Sequence, residues 1–268
     1  MFRKSALFLV VLLLVLLVAE GGAAREVAAI DTGQAHQGLL VVEYAAVPKG
    51  ALRLTVENQS REARRYVYHL EPGVRERFPL QLGNGQYLVT VLEQVEGNMY
   101  RPLYQETFTV QLAGEQVVYL QPIQNIPWDR AGAVVARARE LVAGAGSETE
   151  KVQRIYDYLV QNMTYDYEKL DRLSAGYLPD LEATLRTRRG ICYDFASLFA
   201  AMLRSQGIST KLVMGYAPGV SEYHAWNEVY LEGRWQVIDV TSDIQLAAAG
   251  RPYSMIKDGS AFVKDREY

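Results

Sequence analysis

The chain contains a single cysteine, Cys192, in the stretch RGICYDFASLFAAMLRSQGI at residues 189–208. Apolar residues recur at helical spacing from Phe195 onward, so a helix is predicted that begins close to this cysteine. The backbone N–H groups and the dipole of a helix N-terminus favour negative charge, and they therefore favour the nucleophilic thiolate. The same N–H groups can stabilise an oxyanion on a substrate carbonyl. A buried structural cysteine is the competing interpretation.

A thiol nucleophile works beside a base, most often a histidine that a third group orients. Downstream of residue 122 the sequence has one histidine, His224, in the stretch YHAWNEVYLEGRWQVIDVT. Two β-like runs flank Glu232 and Gly233 in this stretch, which predicts a hairpin with a two-residue turn.

The register of this hairpin brings a carboxylate to the histidine. A two-residue turn pairs Leu231 with Arg234, and the same register places His224 and Asp239 as diagonal neighbours on one face. An aspartate that binds one imidazole nitrogen leaves the other nitrogen free to serve the thiol. We therefore predict a catalytic triad of Cys192, His224 and Asp239. Metal binding by these three residues is the weaker alternative, because no paired cysteine or histidine spacing accompanies them.

The elements before residue 122 are predicted to be strands. ALRLTVEN alternates apolar and polar residues, and Asn84-Gly85 is a hairpin-turn signal before a β-branched run. Several short strands separated by turn residues are typical of an immunoglobulin-like β-sandwich. We assign residues 25–121 to this all-β domain.

Helical periodicity begins after Pro122 and Pro127, which interrupt the strand pattern. Ser147 and Glu150 have the spacing of a capping box at the start of one predicted helix. The tail SAFVKDREY is predicted to be a closing strand. Residues 122–268 are therefore predicted to form a second, mixed domain that carries the site.

The first residues match the pattern of a secretory signal. A basic start is followed by the apolar run Ala6–Val18 and by the small residues Gly22-Ala23-Ala24. The apolar run of about 13 residues is shorter than the roughly 20 that cross a bilayer as a helix. We expect residues 1–24 to be a signal peptide and the protein to be secreted or at the cell surface. An uncleaved segment that anchors the chain in the membrane is the alternative.

Composition limits the classes of partner and the means of stabilisation. The 268 residues have a net charge of −3, which does not favour nucleic-acid binding. A lone cysteine cannot form an internal disulfide. The fold must therefore be stabilised by its packing.

The order and spacing of these motifs resemble those of the transglutaminase-like superfamily, over roughly residues 148–243. The motifs that carry the resemblance are TLRTRRGICYDFASLFAAMLRSQGISTKLVMGY, HAWNEVYL and RWQVIDVTSD. On these motifs the family's nucleophile, histidine and aspartate fall on Cys192, His224 and Asp239. The family's usual proline after the aspartate is Val240 here, a departure that bears on the local turn more than on the chemistry.

The resemblance implies an α+β fold, with a papain-like core of helices packed on an antiparallel sheet after the β-sandwich. It also implies that the thiolate attacks a glutamine carboxamide or a peptide bond, and that an amine or water resolves the thioester. Cross-linking, deamidation and proteolysis all stay open. The implied partner is a protein or peptide, cell-wall peptides included. Some members need calcium, but the chain has no calcium-loop motif, so we expect no metal and no cofactor.

Two aromatic residues are candidates for the rest of the site. Tyr165, in NMTYDY, is the candidate oxyanion donor, with a core or rim position as the competing interpretation. Trp226 is a candidate wall of the cleft, and a core position competes with that role. Tyr193 and Asp194 are predicted to complete the first helical turn, where the dipole favours the acid.

A second class of function stays open, namely a non-catalytic binding or scaffold protein of the cell surface with the same fold. A β-sandwich suits such a role. The complete set of cysteine, histidine and aspartate argues for chemistry instead, because a scaffold has no need to retain all three.

Overall fold

The structure is a computed structural model that describes residues 28–60, 64–174 and 176–268. The predicted signal segment, residues 1–24, lies outside these ranges. Internal contacts divide the described chain into two units, residues 28–36 with 40–112 and residues 37–39 with 113–268. The division at 112–113 lies upstream of the boundary that the sequence placed near residue 122, and the assignment of domains stays a prediction.

The first unit consists of strands in two sheets. Its strands are β1 (Ala28–Asp31), β2 (Leu39–Tyr44), β3 (Leu52–Asn58), β4 (Arg65–Leu70), β5 (Glu76–Pro79), β6 (Gly85–Glu96) and β7 (Met99–Val110). One sheet has the order β1-β2-β5 and the other the order β4-β3-β6-β7. Residues Leu54 and Val56 of β3 are fully buried, and they pair with the buried Val91 and Val89 of β6. The alternation in the sequence therefore marks the buried face of this sheet.

The hairpin-turn interpretation of Asn84-Gly85 is wrong. Strands β5 and β6 on either side of it belong to different sheets, so this dipeptide lies in a connection between sheets. The amide of Asn58 holds the connection by donating to the carbonyl of Asn84 at 3.1 Å. A hairpin forms instead between β6 and β7, where Glu96 pairs with Met99.

The second unit combines an antiparallel sheet with helices. The sheet has the order β13-β12-β11-β10-β14, from strands β10 (Thr210–Tyr216), β11 (His224–Leu231), β12 (Arg234–Ile238), β13 (Ile256–Lys257) and β14 (Val263–Glu267). The helices are α1 (Gly132–Val142), α2 (Glu148–Asn162), α3 (Tyr167–Leu170), α4 (Leu181–Thr187), α5 (Cys192–Arg204) and α6 (Val240–Ala248). The predicted α+β fold is confirmed, and so is the closing strand at the tail.

Helix α5 lies at the centre of the second unit. It packs on β10 and β11 and contacts α1, α2, α4 and α6. All of its residues from 194 to 204 are buried, which explains why its sequence is apolar on every side. Only its N-terminal turn, with Cys192 and Tyr193, is partly exposed. The core therefore fixes the helix whose first residue is the cysteine.

A short parallel ladder runs beside the start of α5. Strands β8 (Thr164–Tyr165) and β9 (Arg189–Gly190) pair so that Tyr165 lies opposite Gly190. A Cβ atom at Gly190 would lie 2.8 Å from the Asp194 Cβ, so a glycine is required where β9 passes the helix. The ladder places Tyr165 next to the N-terminus of α5.

No helix within the described ranges is long and apolar enough to span a membrane.

Candidate active site

The cysteine is the first residue of α5, as the sequence predicts. Its thiol is free and partly exposed. Ile191 is the N-cap residue, and its N–H donates to the Asp194 carboxylate at 2.9 Å. The remaining N–H groups of the first turn and the helix dipole surround the thiol with positive potential. This environment suits a thiolate nucleophile.

The predicted hairpin register is confirmed for β11 and β12. Leu231 pairs with Arg234, and the register continues unbroken to Asn227 and Ile238. The turn residues Glu232 and Gly233 have φ values of 54° and 78°, the left-handed conformation that a two-residue hairpin turn requires.

The second half of the hairpin is shorter than predicted. Strand β12 ends at Ile238, and Asp239 is the N-cap of α6 rather than a strand residue. The carboxylate accepts a hydrogen bond from the Ser242 N–H at 3.0 Å and another from the Ser242 hydroxyl at 2.5 Å. An aspartate at an N-cap satisfies an orphan N–H of the helix. The cap therefore fixes the direction of this carboxylate.

The histidine connects the other two residues. His224 Nε2 donates to Asp239 Oδ2 at 3.0 Å, and the Cys192 thiol interacts with the same imidazole and favours its charged form. The ring and the carboxylate are buried, with relative exposures of 5% and 1%. The structure thus brings together the three residues that the sequence selected, and their catalytic roles stay a prediction.

The electrostatics of the histidine favour its charged form. Burial opposes the charge, but the bonds to Asp239 and Cys192 outweigh it and raise the pKa of His224 to about 10. Burial is the largest influence on Asp239 and opposes its charge, but the interactions with His224 and the two bonds from Ser242 together outweigh it and hold the pKa of this carboxyl below its usual value. At neutral pH the imidazolium is therefore able to give a proton to a leaving group.

A second buried carboxylate supports the first turn of α6. Asp243 is fully buried, accepts from the Tyr156 hydroxyl at 2.7 Å and pairs with Lys257 Nζ at 2.5 Å. Burial raises the pKa of Asp243 even though both partners oppose this effect. These contacts connect α2 and β13 to the helix that Asp239 caps.

Tyr165 lies near the nucleophile through the β8–β9 ladder. Burial, followed by the charge of Cys192, raises the pKa of Tyr165 to about 12, so its hydroxyl stays protonated. The ring packs against Tyr167, whose hydroxyl accepts a bond from the Gln245 amide at 3.2 Å. A protonated hydroxyl beside the thiol is suited to donate to an oxyanion.

Trp226 lies in the core beneath the histidine. It is 1% exposed, its ring stacks at 6.5 Å from the His224 ring, and it contacts Phe262 on the other side. Residues 224 and 226 point to the same face of β11 because side chains alternate along a strand. Trp226 therefore supports the imidazole from below.

One charged residue of the site was assigned too small a role from the sequence. Asp194 binds Lys169 Nζ at 2.7 Å and the Tyr177 hydroxyl, besides the N-cap N–H. An acid at the third helical position is a capping signal that the sequence displays. Partners that lie 17 and 25 residues upstream carry no local signal.

Within the described ranges no cluster of three or more histidine, cysteine, aspartate or glutamate side chains has the geometry of a metal site.

The chain is similar to known proteins over part of its length. The sequence model described as the Transglutaminase-like superfamily matches residues 135–240, which include Cys192, His224 and Asp239. Residues 135–240 are therefore similar to a transglutaminase-like domain. The transglutaminase-like region thus runs from α1 to the first residue of α6.

Two curated relatives each match a little over a third of the chain. The kyphoscoliosis peptidase of Mus musculus is 33% identical over 112 residues, and that of Homo sapiens is 32% identical over 117 residues. Each match covers 38% of this chain and 17% of the relative, so the chain spans about a sixth of their length. A solved structure of a proposed cysteine protease from Cytophaga hutchinsonii is 17% identical with a TM-score of 0.46, covering 82% of this chain and 77% of that one.

Proposed function

We propose that the second unit is a cysteine acyl-transfer enzyme that acts on carboxamide or peptide bonds through a thioester. The contact of one imidazole with both the Cys192 thiol and the Asp239 carboxylate carries this proposal. A nucleophile beside a base that a third group orients is the arrangement that covalent catalysis needs.

The proposed reaction begins with the thiolate–imidazolium pair. The Cys192 sulfur attacks the carbonyl carbon, and the carbonyl π electrons move onto oxygen, where Tyr165 and the first-turn N–H groups donate to it. The tetrahedral intermediate then collapses, the C–N bond breaks, and His224 gives its proton to the leaving nitrogen. The products of this half-reaction are an amine or ammonia, a thioester and a neutral imidazole.

The second half-reaction restores the enzyme. The neutral His224 takes a proton from water or an amine, which attacks the thioester carbonyl, and the thiolate leaves. Asp239 keeps the imidazole in one orientation through both halves. We favour water as the acceptor, because the mouse and human relatives are named peptidases.

We also propose that the substrate is a protein or a cell-wall peptide outside the cytoplasmic membrane. The basic, apolar and small residues of the segment 1–24 support export. Cell fractionation of the full chain tests this proposal. Protein confined to the cytoplasmic fraction would contradict it.

The catalytic proposal is tested with purified wild type and Cys192→Ser. Each is incubated with glutamine-containing peptides and with cell-wall peptides, and mass spectrometry separates peptide cleavage from ammonia release. We expect turnover by wild type and a loss of at least about 1,000-fold in Cys192→Ser, since the hydroxyl is a weaker nucleophile. Circular dichroism confirms that the variant is folded.

Iodoacetamide labelling at pH 6 completes this test. We expect rapid labelling of wild type and slow labelling of His224→Ala, because the imidazolium stabilises the thiolate. A thiol that is inert in both proteins, together with no turnover, would reject the enzyme and leave the non-catalytic binding protein.

A further inference from the structure

Asp194 is a buried carboxylate two residues after the nucleophile. It is 0% exposed, and its oxygens accept from the Ile191 N–H, from the Lys169 ammonium and from the Tyr177 hydroxyl. In the part of the chain that the structure describes, Lys169 is the one cation paired with it. A buried charge needs such a partner, because an unpaired one is strongly unfavourable.

The pair joins two parts of the site. Lys169 belongs to α3, directly after Tyr165 and β8, whereas Asp194 lies in the first turn of α5. Tyr177, which follows α3 in sequence, also has its ring against that of Tyr193. Burial, followed by the bond to Asp194, raises the pKa of Tyr177, so its hydroxyl remains a donor. The segment beside the thiol is thus connected to the nucleophile helix.

The charges around the thiol come from several elements. His224 of β11 and Asp239 at the start of α6 form one pair, and Lys169 with Asp194 forms the other. Other titratable groups that act on the thiol's neighbours or on these pairs include Tyr165, Tyr167, Tyr177, Tyr193, Asp180, Glu222, and Asp166 with its partner Arg189. An uncompensated Asp194 would oppose a second negative charge on Cys192.

We propose that Asp194 is a positioning residue, and that its ion pair with Lys169 keeps the first turn of α5 neutral so that His224 controls the ionisation of Cys192. This inference rests on the proposed function in that it concerns the same thiol. It has a consequence that a merely structural contact lacks. Removing the charge of Lys169 and removing the charge of Asp194 must shift the pH at which the thiolate forms in opposite directions.

The test is the rate of alkylation of the full-length protein by iodoacetamide as a function of pH. Lys169→Met leaves the Asp194 charge, which the Ile191 and Tyr177 donors still hold. The midpoint of the alkylation rate against pH should therefore rise by about one pH unit. Asp194→Asn leaves the ammonium of Lys169, so the midpoint should fall by about one pH unit. The double variant should return close to the wild-type midpoint.

Two further variants separate charge from structure. Lys169→Arg keeps the positive charge and should stay near the wild-type midpoint. Arg137→Met removes an exposed ion pair with Glu140 on α1 and should leave the midpoint unchanged. Circular dichroism establishes that each variant is folded.

Shifts in the same direction, or no measurable shift in either single variant, overturn the inference. If Lys169→Met fails to fold, the nearly isosteric Asp194→Asn decides alone, and an unchanged or raised midpoint overturns the inference. Alkylation requires no turnover. Opposite shifts without any peptide turnover would therefore reject the proposed function while retaining the role of Asp194.

Discussion

At the scale of single residues, the site depends on a buried imidazolium between two partners. His224 Nε2 donates to Asp239 at 3.0 Å, which leaves its other ring nitrogen for Cys192. A charge buried to this extent is stable only when it is paired and hydrogen-bonded. The N-cap position of Asp239 supplies the fixed carboxylate, because Ser242 binds it with two donors.

This arrangement predicts the effect of Asp239→Asn. We expect the variant to fold, since asparagine keeps the size of the side chain and is itself a good N-cap. Activity should fall by about 10²–10⁴-fold, the usual contribution of a positioned acid–base. That loss should be smaller than the loss in Cys192→Ser. The alkylation profile of the thiol should also move to higher pH, because the imidazolium loses its counter-charge.

Ser242→Ala is the matched control for this prediction. It removes the hydroxyl that donates to Asp239 Oδ2 and leaves the carboxylate charge in place. We expect its alkylation profile to stay close to that of wild type. If the profiles of Asp239→Asn and wild type overlay, Asp239 does not orient the histidine, and Asp243 becomes the residue to test.

At the scale of elements, the sequence predicted those features of the site that depend on local turn geometry only. The two-residue turn at Glu232-Gly233 fixes the register from Leu231 to Asn227, so the geometry followed from the sequence. The predicted strand through Asp239 was wrong because N-cap preference competes with strand pairing at that residue. The three partners of Asp194 come from separate segments, and spacing along the chain does not encode such contacts.

The junction of β9 and α5 gives a second prediction. In Gly190→Ala the new Cβ would lie 2.8 Å from the Asp194 Cβ and 3.2 Å from the Phe195 ring. The first turn of α5 must then shift, and overpacking of this kind costs about 1–3 kcal/mol. We expect a lower midpoint of urea unfolding and slower alkylation of Cys192.

Gly132→Ala is the control, because a Cβ there meets nothing within 4 Å. At the start of α1 an alanine should leave stability unchanged or raise it slightly. Equal stability of Gly190→Ala and Gly132→Ala would show that the contact at the start of α5 relaxes without cost.

At the scale of the whole molecule, the division into two units raises the question whether the second unit folds and reacts without the first. All the residues of the proposed mechanism lie within 113–268. We expect a chain of residues 113–268 to keep alkylation of Cys192 and to act more weakly on the macromolecular substrate. Thermal unfolding measures the cost of losing residues 37–39, which group with the second unit. If alkylation of Cys192 and action on the macromolecular substrate are lost equally, the first unit instead stabilises the second.

The final prediction concerns the pH dependence of stability. The pKa of His224 is about 10 in the folded chain and about 6.5 when unfolded. Its contribution to the free energy of unfolding is therefore complete below the unfolded value and is lost as the pH rises through the folded one. The comparison is made in the Cys192→Ser background, where the thiol is absent and Asp239 still holds the ring.

In that background the raising effect of Cys192 on the His224 pKa is absent and that of Asp239 remains, so His224→Gln should be less stable at pH 7, and the difference should shrink between pH 7 and pH 9. Above the unfolded pKa only the folded protein still binds the proton on His224, so the stability that this proton contributes falls as the pH rises. Glutamine binds no proton, so the stability of His224→Gln lacks this pH dependence. Urea unfolding of both proteins at pH 7, 8 and 9 measures the difference. A difference that stays constant or grows with pH would show that Asp239 alone does not hold His224 in its charged form.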